Sequence, residues 1–489
     1  MTVKNKVQLI TYPDSLGGNL RTLNHVLETH FPDLFGGGIH ILPPFPSSGD
    51  RGFAPLTHLD IAPEFGTWED ISRIGEKYPI LLDLMVNHIS AKSTYFQAFL
   101  EEGRKSEYAD LFIPLEKIWP NGKPPQGEIE KIFLRRTEPF SDFTIKATGE
   151  VERVWTTFGK TTPSEQIDLD INSQIARHLL TEFMTRFSQY GIKIVRLDAV
   201  GYLIKKPGTT CFFVEPDIYH FLAWISALAN SLGIELLPEV HAEYSTQFKL
   251  AEEGYWIYDF ILPYTVLDTL LNRTSQRLKE YLKIRPPRQF TMLDSHDGVP
   301  VKPDLNGLYR SQDARKVVGI CISRGSNLSP IFSPKHKDPD GFDVHQIRGT
   351  FYSMLDCDDD AYLAARAIQF FTPGIPQVYY VGLLAGKNDQ SALARTGDGR
   401  DINRHNYSLE EVERESRRPV VQRLIRLIRF RNEYDAFDGV FQLRDSDDSL
   451  LELAWENKQK RCQLVVDLTS CKAVIHYTND AGSPVDYRL

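Results

Sequence analysis

A short apolar segment that ends in two charged residues, Gly191 to Asp198, most constrains how this chain can fold. It contains an apolar run typical of a strand covered on both faces: Ile192, Ile194, Val195 and Leu197. Upstream, apolar residues recur every fourth position, as on one face of a helix: Ile175, Leu179, Phe183 and Phe187. Helix, glycine, apolar strand and charged tip form the repeating step of a parallel barrel or open sheet, in which the strand ends carry the chemistry.

The charged tip pairs a cation with a carboxylate. Arg196 and Asp198 are two positions apart, so in a strand their side chains point to the same side. We expect the Arg196 guanidinium to keep Asp198 ionised, which is the state that a nucleophile needs.

The rest of the chain predicts eight strands, each followed by a helix or an insertion: 7–12, 38–42, 80–88, 191–198, 234–239, 256–260, 290–293 and 376–380. This order is typical of an α/β fold of the (β/α)8 TIM barrel type, and not of a doubly wound sheet. After Gly439 the apolar residues alternate with period two, which predicts a small C-terminal antiparallel β domain. The predicted segments are barrel 1–88, inserted domain 89–170, barrel 171–297, inserted loop-rich domain 298–357, barrel 358–436 and β domain 437–489.

Composition excludes several classes of protein. The net charge of −9 and the pI near 5.9 argue against nucleic acid as a partner. Five scattered cysteines without metal-ligand spacing indicate reduced thiols and no structural zinc. The sequence shows neither a leader nor 18 uninterrupted apolar residues, so we expect a cytoplasmic protein without a membrane segment.

Three acids follow predicted barrel strands: Asp198, Glu239 and Asp297. A barrel would direct all three into one mouth. Glycosyl transfer through an oxocarbenium-like state needs one ionised and one protonated carboxyl group. Asp198 suits the nucleophile, and the apolar approach to Glu239 would raise its pKa and suit an acid/base. Asp297 beside His296 could grip sugar hydroxyls, although any one such carboxylate could instead be a helix cap or a loop anchor.

Four strings resemble, in order, the motif regions of the α-amylase clan, glycoside hydrolase family thirteen: residues 83–88, 191–198, 239–241 and 293–297. The fourth departs from the family, with Ser295 where amylases usually have Asn. Further strings resemble the sucrose phosphorylase branch of that family: residues 4–12, 196–202, 377–382 and 399–405. The resemblance covers nearly the whole chain.

The resemblance implies a retaining phosphorylase that passes a glucosyl group through an Asp ester to phosphate. It makes Asp198 the nucleophile, Glu239 the acid/base and Asp297 the transition-state stabiliser. It assigns sugar contacts to Asp50, Phe53, His88, Phe158, Arg196, His296 and Arg400. It implies no metal and no cofactor. Inorganic phosphate is a co-substrate.

Two cationic stretches are candidates for phosphate and acceptor binding. Arg135 and Arg136 could bind phosphate, because a guanidinium matches its oxygens, or could simply be solvated. Lys335-His336-Lys337 precedes His345-Gln346 in the second insertion. We expect Tyr in place of His345 in sucrose phosphorylases. His345 resembles the members that act on sucrose 6′-phosphate and release fructose 6-phosphate, and Gln346 is a further substrate-binding candidate.

Other activities remain open at this stage. The enzyme could act on unphosphorylated sucrose, or release glycerol or glycerate derivatives, or be a plain hydrolase. A non-enzymatic amylase-like subunit is disfavoured, because this chain keeps all three acids and lacks an apolar span. The expected partners are a small sugar or sugar phosphate and inorganic phosphate, bound by a monomer or homodimer.

Overall fold

The computed structural model describes residues 3–125, 127–333 and 337–489. The described residues form two compact units. The first comprises 41–125, 127–240, 331–333 and 337–343, and the second comprises 3–40, 241–330 and 344–489. Within these described residues no helix has the length and apolarity needed to cross a membrane.

The first part of the chain alternates strands and helices, as predicted: β1 (Gln8–Thr11), α1 (Leu20–Thr29), β2 (Gly38–Ile41), α2 (Trp68–Gly75) and β3 (Ile80–Met85). Helix α2 begins with a capping box, in which the Thr67 side chain accepts the Asp70 N–H and the Asp70 side chain accepts the Thr67 N–H.

The strand predicted to reach His88 ends earlier, at Met85. His88 instead begins a separate strand that pairs antiparallel with Asp168. The Asn87 side chain also donates to Asp168, at 3.2 Å. These contacts draw the chain away from the barrel strand, and periodicity alone could not foresee them.

The described residues of the following stretch include four short strands and two α-helices: β4 (His88–Ser90), α3 (Thr94–Glu102), α4 (Glu128–Lys131), β5 (Phe140–Thr144), β6 (Val151–Trp155) and β7 (Gln166–Asp168). Strands β5 and β6 form a two-stranded antiparallel sheet, and β4 pairs with β7. A small core that includes Trp119 and Trp155, stacked at 5.8 Å, supports this stretch.

The alternation then resumes: α5 (Gln174–Gln189), β8 (Ile194–Asp198), α6 (Asp217–Ser231), β9 (Glu235–Pro238), α7 (Tyr244–Glu252), β10 (Ile257–Asp259), α8 (Leu262–Asn272), α9 (Gln276–Ile284) and β11 (Gln289–Thr291). Helix α5 buries the predicted residues Leu179, Phe183 and Phe187. Gly191 follows it with a φ of 76°, a left-handed conformation that glycine adopts without strain.

The second irregular stretch forms β12 (Val299–Pro300), α10 (Ser311–Ser323), β13 (Asn327–Pro330), β14 (Val344–Arg348) and α11 (Phe351–Met354). Strand β14 lies between β12 and β13 in a three-stranded antiparallel sheet.

The last part of the chain contains two kinds of structure. The barrel part continues with α12 (Asp359–Phe371), β15 (Ile375–Tyr379), α13 (Tyr380–Leu383), α14 (Gln390–Thr396), α15 (Leu409–Ser416) and α16 (Pro419–Glu433). The predicted antiparallel domain follows: β16 (Val440–Leu443), β17 (Leu450–Asn457), β18 (Lys460–Asp467), β19 (Lys472–Thr478) and β20 (Pro484–Arg488). Pairing Leu451 with Val466 and Leu453 with Leu464 buries the alternating apolar residues.

All eight predicted barrel strands belong to one sheet, in the order β10-β11-β15-β1-β2-β3-β8-β9. The pairs within each unit are parallel, including β3 with β8 and β8 with β9 in the first unit and β1 with β15 in the second. The (β/α)8 barrel prediction is therefore confirmed. The boundaries proposed for its six segments stay a prediction.

Candidate active site

In the first unit a single guanidinium lies among three carboxylates. Arg196 Nη1 contacts Asp83 and donates to Asp198 Oδ1 at 2.8 Å, while Arg196 Nη2 lies 2.9 Å from Glu239 Oε1. The sheet register places Asp83 opposite Arg196, so the pairing of strands β3 and β8 creates the first of these contacts. The Asp198 and Glu239 side chains each keep 11% exposure, whereas Arg196 keeps 4%. One buried cation therefore bridges the two acids that a substrate could reach.

The other Glu239 oxygen accepts the backbone N–H of Ala199 at 2.9 Å. Ala199 adopts a left-handed conformation, with φ 53° and ψ 28°, which is sparsely populated by residues other than glycine. The sequence predicts a protonated Glu239 from its apolar approach. That expectation stays a prediction; the two Glu239 oxygens lie within hydrogen-bond distance of Arg196 Nη2 and of the Ala199 N–H.

The expectation that the Arg196 guanidinium keeps Asp198 ionised is wrong. Burial raises the pKa of Asp198 to about 8; Arg196 opposes this shift, and the nearby Glu239 and Asp83 carboxylates reinforce it. The main reason is burial of the Asp198 carboxyl group, and the sharing of one guanidinium among three carboxylates adds to it. The cluster therefore retains a proton near neutral pH, and that proton belongs to the coupled group and not to one side chain.

Five candidates for sugar contacts lie in the same unit: Asp50, Phe53, His88, Phe158 and Arg196. His88 Nε2 lies 2.8 Å from the Phe53 carbonyl oxygen and donates to it, and burial lowers the pKa of His88, so its ring is neutral. The Phe53 ring lies 5.7 Å from the Arg196 guanidinium, and the Phe158 ring lies 5.4 Å from His88. Asp50 is close enough to His88 to influence its pKa and pairs with Lys160 at 3.3 Å. The structure thus groups Phe53, His88, Phe158 and Arg196.

A buried lysine that the sequence analysis missed lies behind His88. Lys205 Nζ lies 2.6 Å from Asp168 and donates to Asn87 at 2.8 Å. Its ammonium group supplies positive charge to a cluster of oxygen atoms. No sequence signal marks it, because Lys205-Lys206 looks like an exposed pair, and Lys206 is indeed exposed and bonded to Asp217. The expectation of no metal stays a prediction.

The structure distinguishes the two adjacent arginines. Arg136 donates to the carbonyl oxygens of Phe158 and Thr161, at 3.2 and 3.0 Å. The Arg135 guanidinium instead lies 5.9 Å from the Phe158 ring. Arg136 therefore holds the loop from 158 to 161, and Arg135 becomes the stronger candidate for phosphate.

In the second unit Asp297 is surrounded by cations. Arg400 Nε lies 3.2 Å from its Oδ1, and His296 Nε2 lies 3.7 Å from its Oδ2. Burial would raise the pKa of Asp297, but Arg400, His296, Arg404 and His241 outweigh burial and hold this pKa well below its usual range. Asp297 is consequently ionised at neutral pH.

The acceptor candidates of the second unit lie on strand β14. His345 and Gln346 are both buried. His345 Nδ1 donates to the Lys302 carbonyl oxygen at 2.6 Å, which fixes the orientation of the ring. The His345 ring lies 5.8 Å from that of His241, edge to face. Lys335 and His336 of the predicted cationic run lie outside the described residues.

Comparison with known proteins identifies the class. The α-amylase catalytic domain matches residues 32–249. A sucrose 6(F)-phosphate phosphorylase of Thermoanaerobacterium thermosaccharolyticum is 63% identical, with 100% of each chain covered. A glucosylglycerol phosphorylase of Marinobacter adhaerens is 43% identical over 98% of both chains. The crystal structure of a sucrose 6F-phosphate phosphorylase from Thermoanaerobacter thermosaccharolyticum superposes with a TM-score of 0.99, at 63% identity, and covers 100% of this chain and 99% of its own.

A (β/α)8 barrel with carboxylates after its strands, together with these similarities, defines an enzyme of the α-amylase class. Within glycoside hydrolase family thirteen, the chain belongs to the sucrose phosphorylase branch, whose members are phosphorylases of the glycosyltransferase type.

Proposed function

We propose that this enzyme uses inorganic phosphate to cleave sucrose 6′-phosphate into α-D-glucose 1-phosphate and fructose 6-phosphate. The observation that carries the proposal is the bridge from Arg196 to both Asp198 and Glu239. Two carboxylates bound to the two ends of one guanidinium suit the separation of about 5 Å that retention by double displacement requires. The phosphorylated substrate is supported by the full-length relative at 63% identity and by His345.

In the proposed first step Asp198 attacks the anomeric carbon and Glu239 gives its proton to the departing fructosyl oxygen. A β-glucosyl ester on Asp198 results. In the second step a phosphate oxygen attacks the same carbon and releases Asp198, and Glu239 recovers a proton from the phosphate. The cluster around Arg196 suits this cycle because it holds one mobile proton near neutral pH.

Asp297 has a different role in the proposal. Its carboxylate stays ionised and would bind ring hydroxyls more tightly as positive charge develops on the sugar. His296 and Arg400 would bind the same ring. Asp297 follows strand β11 in the second unit, as Asp198 ends strand β8 and Glu239 follows strand β9 in the first.

The two arginines give a matched pair of variants for the phosphate site. We expect Arg135→Ala to raise KM for phosphate by roughly 10-fold or more, because a charge-assisted bond is lost. Arg136→Ala should mainly lower Tm, since two bonds to loop carbonyls, each worth about 1 kcal/mol, disappear. Initial rates over a phosphate series and thermal unfolding check both. If Arg136→Ala carries the larger KM effect, the assignment to Arg135 is wrong.

A variant at His345 tests whether this residue recognises the phosphorylated sugar. Replacing His345 by Tyr should lower kcat/KM for sucrose 6′-phosphate by roughly 30-fold, the equivalent of about 2 kcal/mol for a bond to a charged group. The value for sucrose should change much less. His220→Tyr, at an exposed position of helix α6, is the control. Equal losses on the two sugars would discard the role of His345.

The second candidate is a glucosylglycerol phosphorylase, favoured by the relative at 43% identity. The deciding experiment measures glucose 1-phosphate release from sucrose, sucrose 6′-phosphate and glucosylglycerol, with and without phosphate. Release of glucose instead of glucose 1-phosphate would indicate a hydrolase.

The proposal also includes a cytoplasmic location, consistent with five free thiols, and no cofactor. We also expect the enzyme to be a monomer or a homodimer. Size-exclusion chromatography with light scattering tests this oligomeric state.

A further inference from the structure

The loop that carries His296 and Asp297 is held through its backbone. Asn403 Nδ2 donates to the carbonyl oxygens of Ser295 and Asp297, at 2.8 and 3.4 Å. Arg404 Nε donates to the carbonyl oxygen between them, that of His296, at 2.9 Å. Three consecutive peptide units are thus fixed by two neighbouring side chains.

Asn403 is itself attached to the barrel. The Tyr379 hydroxyl, at the end of strand β15, donates to the Asn403 carbonyl oxygen at 3.1 Å. Asn403 is 2% exposed, and Tyr379 is fully buried. The loop that carries His296 and Asp297 is therefore connected to barrel strand β15 through the buried, uncharged Asn403.

The start of the loop has a separate anchor. The fully buried Arg366 donates through Nη2 to both oxygens of Asp294, at 2.7 and 2.8 Å. The Ser295 hydroxyl, at the position where amylases usually have Asn, accepts the Asp297 N–H at 3.2 Å. With Asp294 held by Arg366 and the Ser295 hydroxyl bonded to the Asp297 N–H, the remaining freedom of the loop lies in the peptide units that Asn403 binds.

We infer that Asn403 is a positioning residue, which sets where the Asp297 carboxylate and the His296 ring meet the glucosyl group. It touches neither substrate nor reacting atoms in this assignment and acts through the loop backbone. The inference rests on the proposed function, since it concerns the stabilising role of Asp297. A displacement of about 1 Å in such a group costs on the order of 100-fold in rate.

The test is a double-mutant cycle in the full-length enzyme. Asn403→Leu removes the two donors without changing charge and nearly preserves volume. We expect kcat with sucrose 6′-phosphate to fall by roughly 10- to 100-fold, with KM for phosphate within about 3-fold of the parent. In an Asp297→Asn background the same change should cost less than about 3-fold, because the group that Asn403 positions is already disabled. Asn406→Leu, at an exposed position three residues later, is the control and should leave kcat unchanged.

Two results would overturn the inference: a kcat for Asn403→Leu close to that of the parent, or an equal loss in both backgrounds, as a purely structural defect would give. If Asn403→Leu does not fold by thermal unfolding, Asn403→Ser, which keeps a shorter donor, replaces it in the same cycle. The parent enzyme is measured first. Absence of glucose 1-phosphate from all three glucosides would reject the proposed function, whereas an active parent with an additive cycle rejects only the role of Asn403.

Discussion

Replacing Asp198 by Asn is expected to lower kcat for phosphorolysis by roughly 10⁴-fold or more, the scale seen when a covalent nucleophile is removed. The amide keeps the shape of the side chain and its place beside Arg196, but it cannot form the glucosyl ester. Asp198 attacks the anomeric carbon whichever leaving group departs. The loss should therefore be the same for sucrose 6′-phosphate and for α-glucosyl fluoride. Initial rates of glucose 1-phosphate release measure it.

The control is Asp217→Asn, a carboxylate on the surface at the start of helix α6 that pairs with Lys206. It should leave kcat unchanged. The nucleophile assignment fails if Asp198→Asn keeps more than about one hundredth of the parental rate, or if a mass spectrum of the variant incubated with α-glucosyl fluoride still shows a bound glucosyl group.

Replacing Glu239 by Gln should separate acid catalysis from the rest of the reaction. We expect kcat with sucrose 6′-phosphate to fall by roughly 10²- to 10⁴-fold, because the fructosyl oxygen leaves poorly without a proton. With α-glucosyl fluoride the loss should be far smaller, since fluoride leaves unprotonated and a phosphate anion attacks without a general base. Equal losses with both donors would remove Glu239 from the acid/base role.

The proton shared by the carboxylates around Arg196 allows a second test of the acid/base assignment, by pH dependence. The pKa of Asp198 is raised to about 8, mainly by burial, so the cluster keeps one proton below that pH and loses it above. The free enzyme then has no acid, and kcat/KM for sucrose 6′-phosphate should decline as pH rises through about 8. The decline should be absent with α-glucosyl fluoride. A profile that rises through this range with the natural donor would contradict the proposed protonation state.

Much of the fold followed from local patterns. The eight barrel strands and the antiparallel C-terminal domain were predicted from apolar periodicity, because strands buried on both faces and strands buried on one face leave different patterns. His88 was placed in the wrong strand, because its pairing partner, Asp168, lies far along the chain.

The candidate site was predictable as a set of residues, but its electrostatics were not. The sequence paired Arg196 with Asp198, which is two residues away. It could not show how deeply Asp198 is buried, or that Asp83 and Glu239 share the same guanidinium. Burial, reinforced by these two carboxylates, reverses the expected protonation of Asp198. Arg135 and Arg136 look equivalent in the sequence, and only the carbonyl groups around Arg136 distinguish them.

The sequence by itself determined the barrel, the acids that follow its strands and the family, because each depends on residue order and short-range periodicity. Only the tertiary structure decided which cations neutralise which acids, where Lys205 is buried and how Asn403 holds the loop of Asp297. The physical reason is that these properties depend on distances between groups that are remote in the chain. Burial strengthens electrostatic interactions between such groups, and burial is a property of the packed molecule.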